Sequence, residues 1–416
     1  VMLGCIPRAS VAAREMGEPL PAAAAKAGRG LVSGPGADYD QQLIAACGGP
    51  VPKFFPKCFE AWPAQHESGN GKVALVTGGA AGIGFYVAKL LARCGYQVIL
   101  PARPGAEAEA AEAAGAIAGA VPGALVRVPD TPLDLASFKS VRAFAREVRG
   151  GLAGLDLLCL NAGRGGSAED AREETEDGHE AIMQVNTVSH VLLTLELLPL
   201  LRGAPEARVV FQSSEARLDR SRRILGKARD IDGTDAQAFN AFDQYRLSKV
   251  AGCFAMQALN ARLRQAGDSR IRVCVADPGL AATAINFQHN LMRSMFKLPN
   301  SPLTSWGNRW AHASGQHAAD GALPMVLACV TPNLHPNDWF RPGGPKGRAG
   351  LPIKGDPAGH ASHVDSQVDP LNTTCSSLWP AGSQELVWTQ ILACIGKDLV
   401  EALACTTVDI SAAPAV

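Results

Sequence analysis

The chain has 416 residues, with 39 Lys plus Arg against 39 Asp plus Glu, so its formal charge is zero. That balance excludes a basic nucleic-acid groove or a polybasic membrane anchor, and the length leaves room for a large core. The eleven cysteines are scattered without a CxxC, several inside apolar runs such as LDLLCLNAG, which predicts reduced thiols in a reducing compartment rather than a disulfide frame.

Residues 1–69 read as an N-terminal extension. PAAAAKAGRGLVSGPG within it has the Ala/Gly/Arg texture of an organelle transit peptide, against which Glu15 and Glu18 count. The expected setting is cytoplasmic, with a plastid or another organelle as the alternative. From Lys72 the texture changes. KVALVTGGAAGIG is a short β-rich run breaking into glycines, and FYVAKLLARCG follows with helical spacing. QVILP (97–101) predicts a second strand, an Ala/Glu-rich helix follows, and ALVRVP (124–129) predicts a third. LASFKSVRAFAREV (135–148) is an amphipathic helix. LDLLCLNAG (155–163) is a buried strand, EAIMQVNTVSHVLLTLELLPLL (180–201) a long helix, and ARVVFQSS (207–214) another strand. The apolar end of that long helix, LLTLELLPLL, carries Glu and Pro and is too short to span a bilayer. AFDQYRLSKVAG (241–252) lies on the next helix, and IRVCVADPG (271–279) is a further strand. Residues 336–382 are Pro- and Gly-rich and read as loop, before a last helix over 383–403.

Apolar strands alternating with helices predict an α/β, doubly wound parallel sheet of Rossmann type, with ligand at the carboxyl ends of the strands. The expected division is a single catalytic domain over 70–404, including a substrate-side segment at 284–320, and a tail over 405–416.

Gly78, Gly82 and Gly84 directly follow the first strand and open a helix. They let the backbone turn tightly and approach a pyrophosphate facing the helix N-terminus. The spacing is Gly-x3-Gly-x-Gly rather than GxGxxG. At the end of the second strand, where dinucleotide folds read the adenosine ribose, VILPARP has no acid for a 2′-hydroxyl. Arg103 is there to fork onto a 2′-phosphate, which favours NADP(H) over NAD(H). Tyr245 and Lys249, four residues apart, share a helix face; that spacing alone equally describes a surface contact. Nine histidines show no HExxH, and neither a P-loop nor a GxSxG elbow is present, so no metal site is expected.

Seven motifs fall in a familiar order: TGGAAGIG (77–84), LDL (133–135), NAG (161–163), VN (185–186), SS (213–214), YRLSK (245–249) and DPGLAAT (277–283). On these the chain resembles the short-chain dehydrogenase/reductases. LDLASFKSVRAF, YRLSKVAG and DWFRPGGPKGRAGLP resemble the branch holding retinol dehydrogenases and protochlorophyllide reductases. The resemblance implies that Tyr245 gives or takes the proton of a carbonyl/alcohol pair and that Lys249 lowers the phenol pKa and holds the nicotinamide ribose. Ser214 would steady the substrate oxygen, and Asn186 would carry a proton relay through water to Lys249. It further implies a cofactor lined by Gly78, Gly82, Ile83 and Gly84 and by Asn161, Ala162 and Gly163. Asp134 and Leu135 would meet the adenine, and Pro278, Gly279 and Thr283 the nicotinamide end. For Asp134, helix capping is the competing reading. Gly252 departs from the family, which usually has Asn there.

The implied activity is NADP(H)-dependent interconversion of an aldehyde or ketone with an alcohol. The aromatic and apolar residues Phe287, Met292, Met295, Phe296, Trp306 and Trp310 point to a bulky apolar small molecule. The alternatives are a catalytically idle NADP-binding regulator or scaffold, and a tetrapyrrole double-bond reductase of the protochlorophyllide reductase type. A homo-oligomer is compatible with the family.

Overall fold

The computed structural model describes residues 59, 69–166, 170–218, 230–234, 239–281, 315–332, 334, 338–344, 349–355 and 383–396. Its centre is one eight-stranded sheet with the order β3-β2-β1-β4-β5-β6-β7-β8. The strands are β1 (Val73–Val76), β2 (Gln97–Ile99), β3 (Val126–Arg127), β4 (Leu157–Leu160), β5 (Ala207–Gln212), β6 (Ile271–Ala276), β7 (Trp339–Pro342) and β8 (Pro352–Gly355). All neighbours pair in parallel except β7 with β8.

β4 and β5 are buried along their whole length, as a parallel strand covered on both faces must be. Side chains alternate between the two covering layers with the two-residue period of a strand. Leu75, Leu158, Leu160, Val209, Phe211, Val273 and Val275 enter one core. Ala74, Val76, Leu157, Cys159, Val210, Cys274 and Ala276 enter the other. The second layer is made by α1 (Gly82–Arg93), α2 (Glu107–Ala120) and a late helix at Ala318–Val330. The first is made by α3 (Phe138–Gly151), a helical run from Ala181, a 25-residue helix at Ala241–Gln265, and the C-terminal helix Ser383–Ile395. This is the doubly wound arrangement the alternation predicts. Its chain reversal lies between β1 and β4, so a crevice opens at their carboxyl ends.

Local chemistry explains the helix boundaries. Ser137 caps α3 by accepting from the Ser140 N–H. The predicted helix over 180–201 is instead four pieces: α4 (Ala181–Met183), a π-helical turn (Gln184–Val188), α5 (Ser189–Glu196) and α6 (Leu198–Gly203). Pro199 begins a new helix there, since it suits a first turn and interrupts an interior. Asn240 caps α7 (Ala241–Gln265) by accepting from the Asp243 N–H. Helix α8 is Ala318–Val330 and α9 is Ser383–Ile395.

The reading of 336–382 as loop is corrected by β7 and β8. Pro342 and Pro352 pair with each other at the end of the antiparallel ladder, the kind of sheet-edge position where a missing N–H is tolerated. Residues 336–337, 345–348 and 356–382 of that range, like residues 1–58, 284–314 and 397–416, lie outside the described residues. Among the described residues no helix is long and apolar enough to cross a membrane.

Candidate active site

The crevice is built from four chain reversals at the carboxyl edge of the sheet. In the first, Gly78 and Gly82 adopt φ of 65° and 53°, a region open chiefly to glycine. A Cβ on Gly84 would stand 2.2 Å from the Gly78 carbonyl oxygen and 2.5 Å from Asn161 Nδ2, so the turn is tightened onto the end of β4. Ala81 at the α1 N-cap provides no side-chain hydrogen bond, and the first turn holds no acid. The backbone N–H groups there are therefore left for an anion, and the residues fit a pyrophosphate. Ile83 is half-buried against the Gly321 position of α8.

Thr77, which the sequence reading passed over, locks this turn to β4. Its Oγ1 accepts from the N–H groups of Asn161 (2.9 Å) and Ala162 (3.0 Å), and Asn161 Nδ2 donates to the Thr77 carbonyl at 3.0 Å. Thr77 Oγ1 also lies 3.2 Å from His190 Nε2, while His190 Nδ1 lies 3.1 Å from the Asn186 carbonyl oxygen. A carbonyl only accepts, so Nδ1 carries the proton and Nε2 is left as an acceptor, which shares the Thr77 hydroxyl with the Cys159 carbonyl 3.3 Å from Oγ1. Burial pushes the His190 imidazole down to about 3, a shift to which the Lys249 charge adds. It is neutral throughout the physiological range.

Asn186 sits in the π-helical turn, an insertion often found at functional positions. Its side chain accepts from the Arg164 N–H (2.8 Å) and donates to the Arg164 carbonyl (2.9 Å) and Ser248 Oγ (2.9 Å). It clamps the NAG loop to α7. A Cβ on Gly163 would meet Asn186 Oδ1 at 3.1 Å and Lys249 Nζ at 3.4 Å.

Helix α7 turns Tyr245, Ser248 and Lys249 toward this crevice. Lys249 is 4 % exposed and donates from Nζ to the Gln212 carbonyl at 3.0 Å. Its ammonium lies 5.9 Å from the Tyr245 ring centre and 5.5 Å from that of Phe211. The Ser214 hydroxyl acts on the Tyr245 phenol, favouring its ionised form. Ser214 Oγ also accepts from the Ala216 N–H, whereas Ser213 turns away to Cys253 Sγ at 3.2 Å. Ser214, Tyr245, Lys249 and Asn186 are thus brought to one place.

Burial raises the Tyr245 phenol above its ordinary value, the Ser214 hydroxyl opposes this, and the Asp277 charge adds to it. The Lys249 pKa falls to about 8, because burial disfavours the ammonium.

The fourth reversal follows β6. Gly279 N–H donates to Asp277 Oδ1 at 2.9 Å, and Pro278 O accepts from Gln316 Nε2 at 2.6 Å. Gln316, absent from the sequence reading, is 1 % exposed and also accepts from the Gly350 N–H. Thr283 lies outside the described residues, as do the apolar residues of the substrate-side segment. Arg103 stands exposed just past β2. Asp134 is half-buried and turns its Oδ1 onto the Ala136 N–H at 2.8 Å, a local turn rather than the helix cap. Leu135 is buried, with its carbonyl taken by Ser189 Oγ. The departure at Gly252 has a steric cause: a Cβ there would stand 2.1 Å from Phe211 Cζ. Among the described residues no group of three or more His, Cys, Asp or Glu could hold a metal ion.

A doubly wound sheet with a glycine turn at its switch point and a Ser–Tyr–Lys cluster beside it defines a nucleotide-dependent oxidoreductase of the Rossmann type. The short chain dehydrogenase family model matches residues 72–224. Mouse retinol dehydrogenase 14 is 33% identical over 307 residues, covering 70% of this chain and 85% of that one. Mouse polyprenol dehydrogenase is 36% identical over 220 residues, covering 52% of this chain and 61% of that one. Among solved structures, an uncharacterized protein from Mycobacterium paratuberculosis superposes with a TM-score of 0.52 at 22% identity, covering 83% of this chain and 95% of that one; at that identity it speaks for the fold. The chain belongs to the short-chain dehydrogenase/reductase family, in its retinol dehydrogenase-like branch. It is an oxidoreductase acting on CH–OH groups.

Proposed function

We propose that the protein interconverts a bulky apolar alcohol with its aldehyde or ketone, using NADP(H), with Tyr245 as the acid/base. The observation that carries this is the Ser214 hydroxyl acting on the Tyr245 phenol, with Lys249 held 5.9 Å from the centre of the phenol ring. A phenol whose pKa is raised by burial keeps its proton at neutral pH, which suits a donor to a carbonyl oxygen. Ser214 supplies a second hydrogen bond to the same oxygen as negative charge builds on it. In the oxidation direction the same phenol must first lose its proton, so that direction gains from alkaline conditions.

When bound, the nicotinamide cofactor supplies or accepts the hydride. Gly78, Gly82, Ile83 and Gly84 would hold its pyrophosphate, Asp134 and Leu135 its adenine, Asn161, Ala162 and Gly163 its middle, and Pro278, Gly279 and Thr283 its nicotinamide end. Arg103, exposed and with no acid at the end of β2, supports a 2′-phosphate and hence NADP(H) over NAD(H). The apolar substrate rests on the composition of 284–320 and on the names of relatives called retinol and polyprenol dehydrogenases.

The test is turnover of NADPH and NADH, side by side, with a panel of retinoid, steroid, polyprenyl and fatty aldehydes and ketones. The expected result is NADPH-dependent reduction abolished by Tyr245→Phe. NADPH binding without any Tyr245-dependent turnover across the panel would favour the idle scaffold instead.

A further inference from the structure

Gln212 is the last residue of β5 and leads into Ser213 and Ser214. It is 5 % exposed, yet neither its Oε1 nor its Nε2 has a hydrogen-bond partner among the described residues. Buried amides are nearly always paired, because losing water without gaining a bond is costly. An apolar side chain would fill the same space without that cost. The amide is therefore kept for something other than packing.

Its main chain is already used and does not account for it. The Gln212 carbonyl takes Lys249 Nζ at 3.0 Å, and its ladder partner on β6 is Ala276, which has no polar side chain. Strand alternation puts the Gln212 side chain on the face of Val210 and Ala276, which enter the layer of α1 and α8. Ser213, on the opposite face, turns to Cys253 of α7. The register that pairs Leu160 with Phe211 brings Gln212 level with Asn161. Gln212 thus stands at the crevice between the NAG turn after β4 and the Asp277–Gly279 turn after β6, on the face of the glycine turn. The polar side chains at that level are engaged. Asn161 Nδ2 donates to the Thr77 carbonyl, and Asp277 holds Arg217 and the Gly279 N–H. Gln316 donates to the Pro278 carbonyl and accepts from the Gly350 N–H.

We propose that Gln212 is a cofactor-positioning residue whose amide pairs with the carboxamide of the nicotinamide ring, an inference that rests on the reading of the crevice as an NADP(H) site. The chemistry of the orphaned pair selects this group. A primary amide offers one acceptor and one NH2 donor, and a carboxamide is its complement. Nε2 donates to the carboxamide oxygen while Oε1 accepts from its nitrogen, so both atoms are satisfied together. A phosphate would engage only Nε2, and an apolar substrate neither. Two bonds to one planar group also fix its rotation. Gln212 then sets which face of the ring is turned toward the carbon held by Tyr245 and Ser214.

The test is binding, measured by titration calorimetry on the full chain. The probes are NADPH and NADH, the reduced 3-acetylpyridine analogue of NADPH, whose methyl ketone lacks the carboxamide nitrogen, and adenosine 2′,5′-bisphosphate, which lacks the nicotinamide altogether. Gln212→Met keeps the length of the side chain and removes both polar atoms. It should bind NADPH about tenfold more weakly and adenosine 2′,5′-bisphosphate as before. Replacing NADPH by the acetylpyridine analogue should cost the wild type about fivefold or more in affinity and Gln212→Met about twofold or less. Without ligand, Gln212→Met should melt no lower than the wild type, since no bond inside the protein is lost. A lower melting point in both Gln212→Met and Gln212→Leu would give the amide a structural partner and overturn the proposal. An analogue penalty equal in wild type and Gln212→Met, with NADPH still bound, overturns the carboxamide pairing alone. No binding of NADPH or NADH by the wild type overturns the cofactor reading and this inference with it.

Discussion

Arg217 and Asp277 form a buried ion pair that joins two walls of the crevice. Arg217 also donates to the Ser214 carbonyl at 2.9 Å, and its guanidinium lies 3.9 Å from the centre of the Trp339 ring. Asp277 accepts from the Gly279 N–H on the opposite wall. The pair therefore fixes the serine against the Pro278–Gly279 turn. Its residues are 9 % and 6 % exposed at the side chain, so removing one charge strands the other in a poorly solvated place. Asp277→Asn is expected to cost about 3–5 kcal/mol in urea unfolding, whereas the double change Arg217→Met with Asp277→Leu should recover most of that. A loss under about 1 kcal/mol for Asp277→Asn would show that the pair does not hold the walls.

That ion pair also marks the limit of what could be read without coordinates. The sheet was legible because its strands are continuous apolar runs: LLCL and ARVVFQ have one structural solution between two helical layers. Tyr245 and Lys249 were legible through helix spacing and motif order. Arg217 and Asp277, by contrast, lie 60 positions apart, and neither belongs to a periodic pattern that would pair them. Thr77 stands at the head of the glycine turn and His190 within an apolar helix, and nothing in the local pattern pairs them. Only the closing of the turn onto β4 and the Asn186 carbonyl gives them partners. β7 and β8 were hidden by proline and glycine, which sheet edges tolerate and turns prefer.

The Gly252 position gives a steric prediction. Phe211 is buried in the core, and its ring covers the helix face where a Cβ would emerge. Gly252→Ala must push that ring off its place beside Lys249, at about 1–3 kcal/mol of stability. The double change Gly252→Ala with Phe211→Leu should be more stable than Gly252→Ala alone. Thermal denaturation decides it, and no improvement in the double variant would place the strain elsewhere.

His190 sets an acid limb. In the folded chain it stays neutral until about pH 3, while the unfolded imidazole takes up a proton below about 6.5. Between those values the unfolded state binds more protons, so stability falls as pH is lowered through the window. Urea midpoints at pH 7, 5 and 4 should drop for the wild type. In His190→Asn the stability at pH 7 should be lower, but the decline shallower by about one proton. Parallel declines in the two proteins would mean that carboxylates alone set the limb.

Tyr245 and Lys249 give opposite pH signatures for stability and for turnover. Lys249 keeps a pKa of about 8 in the folded chain against about 10.4 when unfolded. Below pH 8 both states carry the proton and the burial cost is present in full. As pH rises from 8 to 10.4 the folded lysine is already neutral, so this group's contribution to stability improves. Lys249→Met, which removes the buried charge, should therefore gain up to about 3 kcal/mol at pH 7, less what is lost with the Gln212 hydrogen bond. The same variant should lose nearly all turnover. For the wild type, carbonyl reduction needs the phenol protonated, and burial and Asp277 keep it so through neutral pH. Reduction should thus stay flat through neutral pH and fall only on the far alkaline side, while alcohol oxidation climbs as pH rises. Tyr245→Phe should lower both directions by about 10²–10⁴-fold. Initial rates in each direction from pH 6 to 10 check this. An oxidation rate independent of pH, or a Lys249→Met protein that is both less stable and fully active, would mean that Lys249 is a packing residue and Tyr245 not the group that moves the proton.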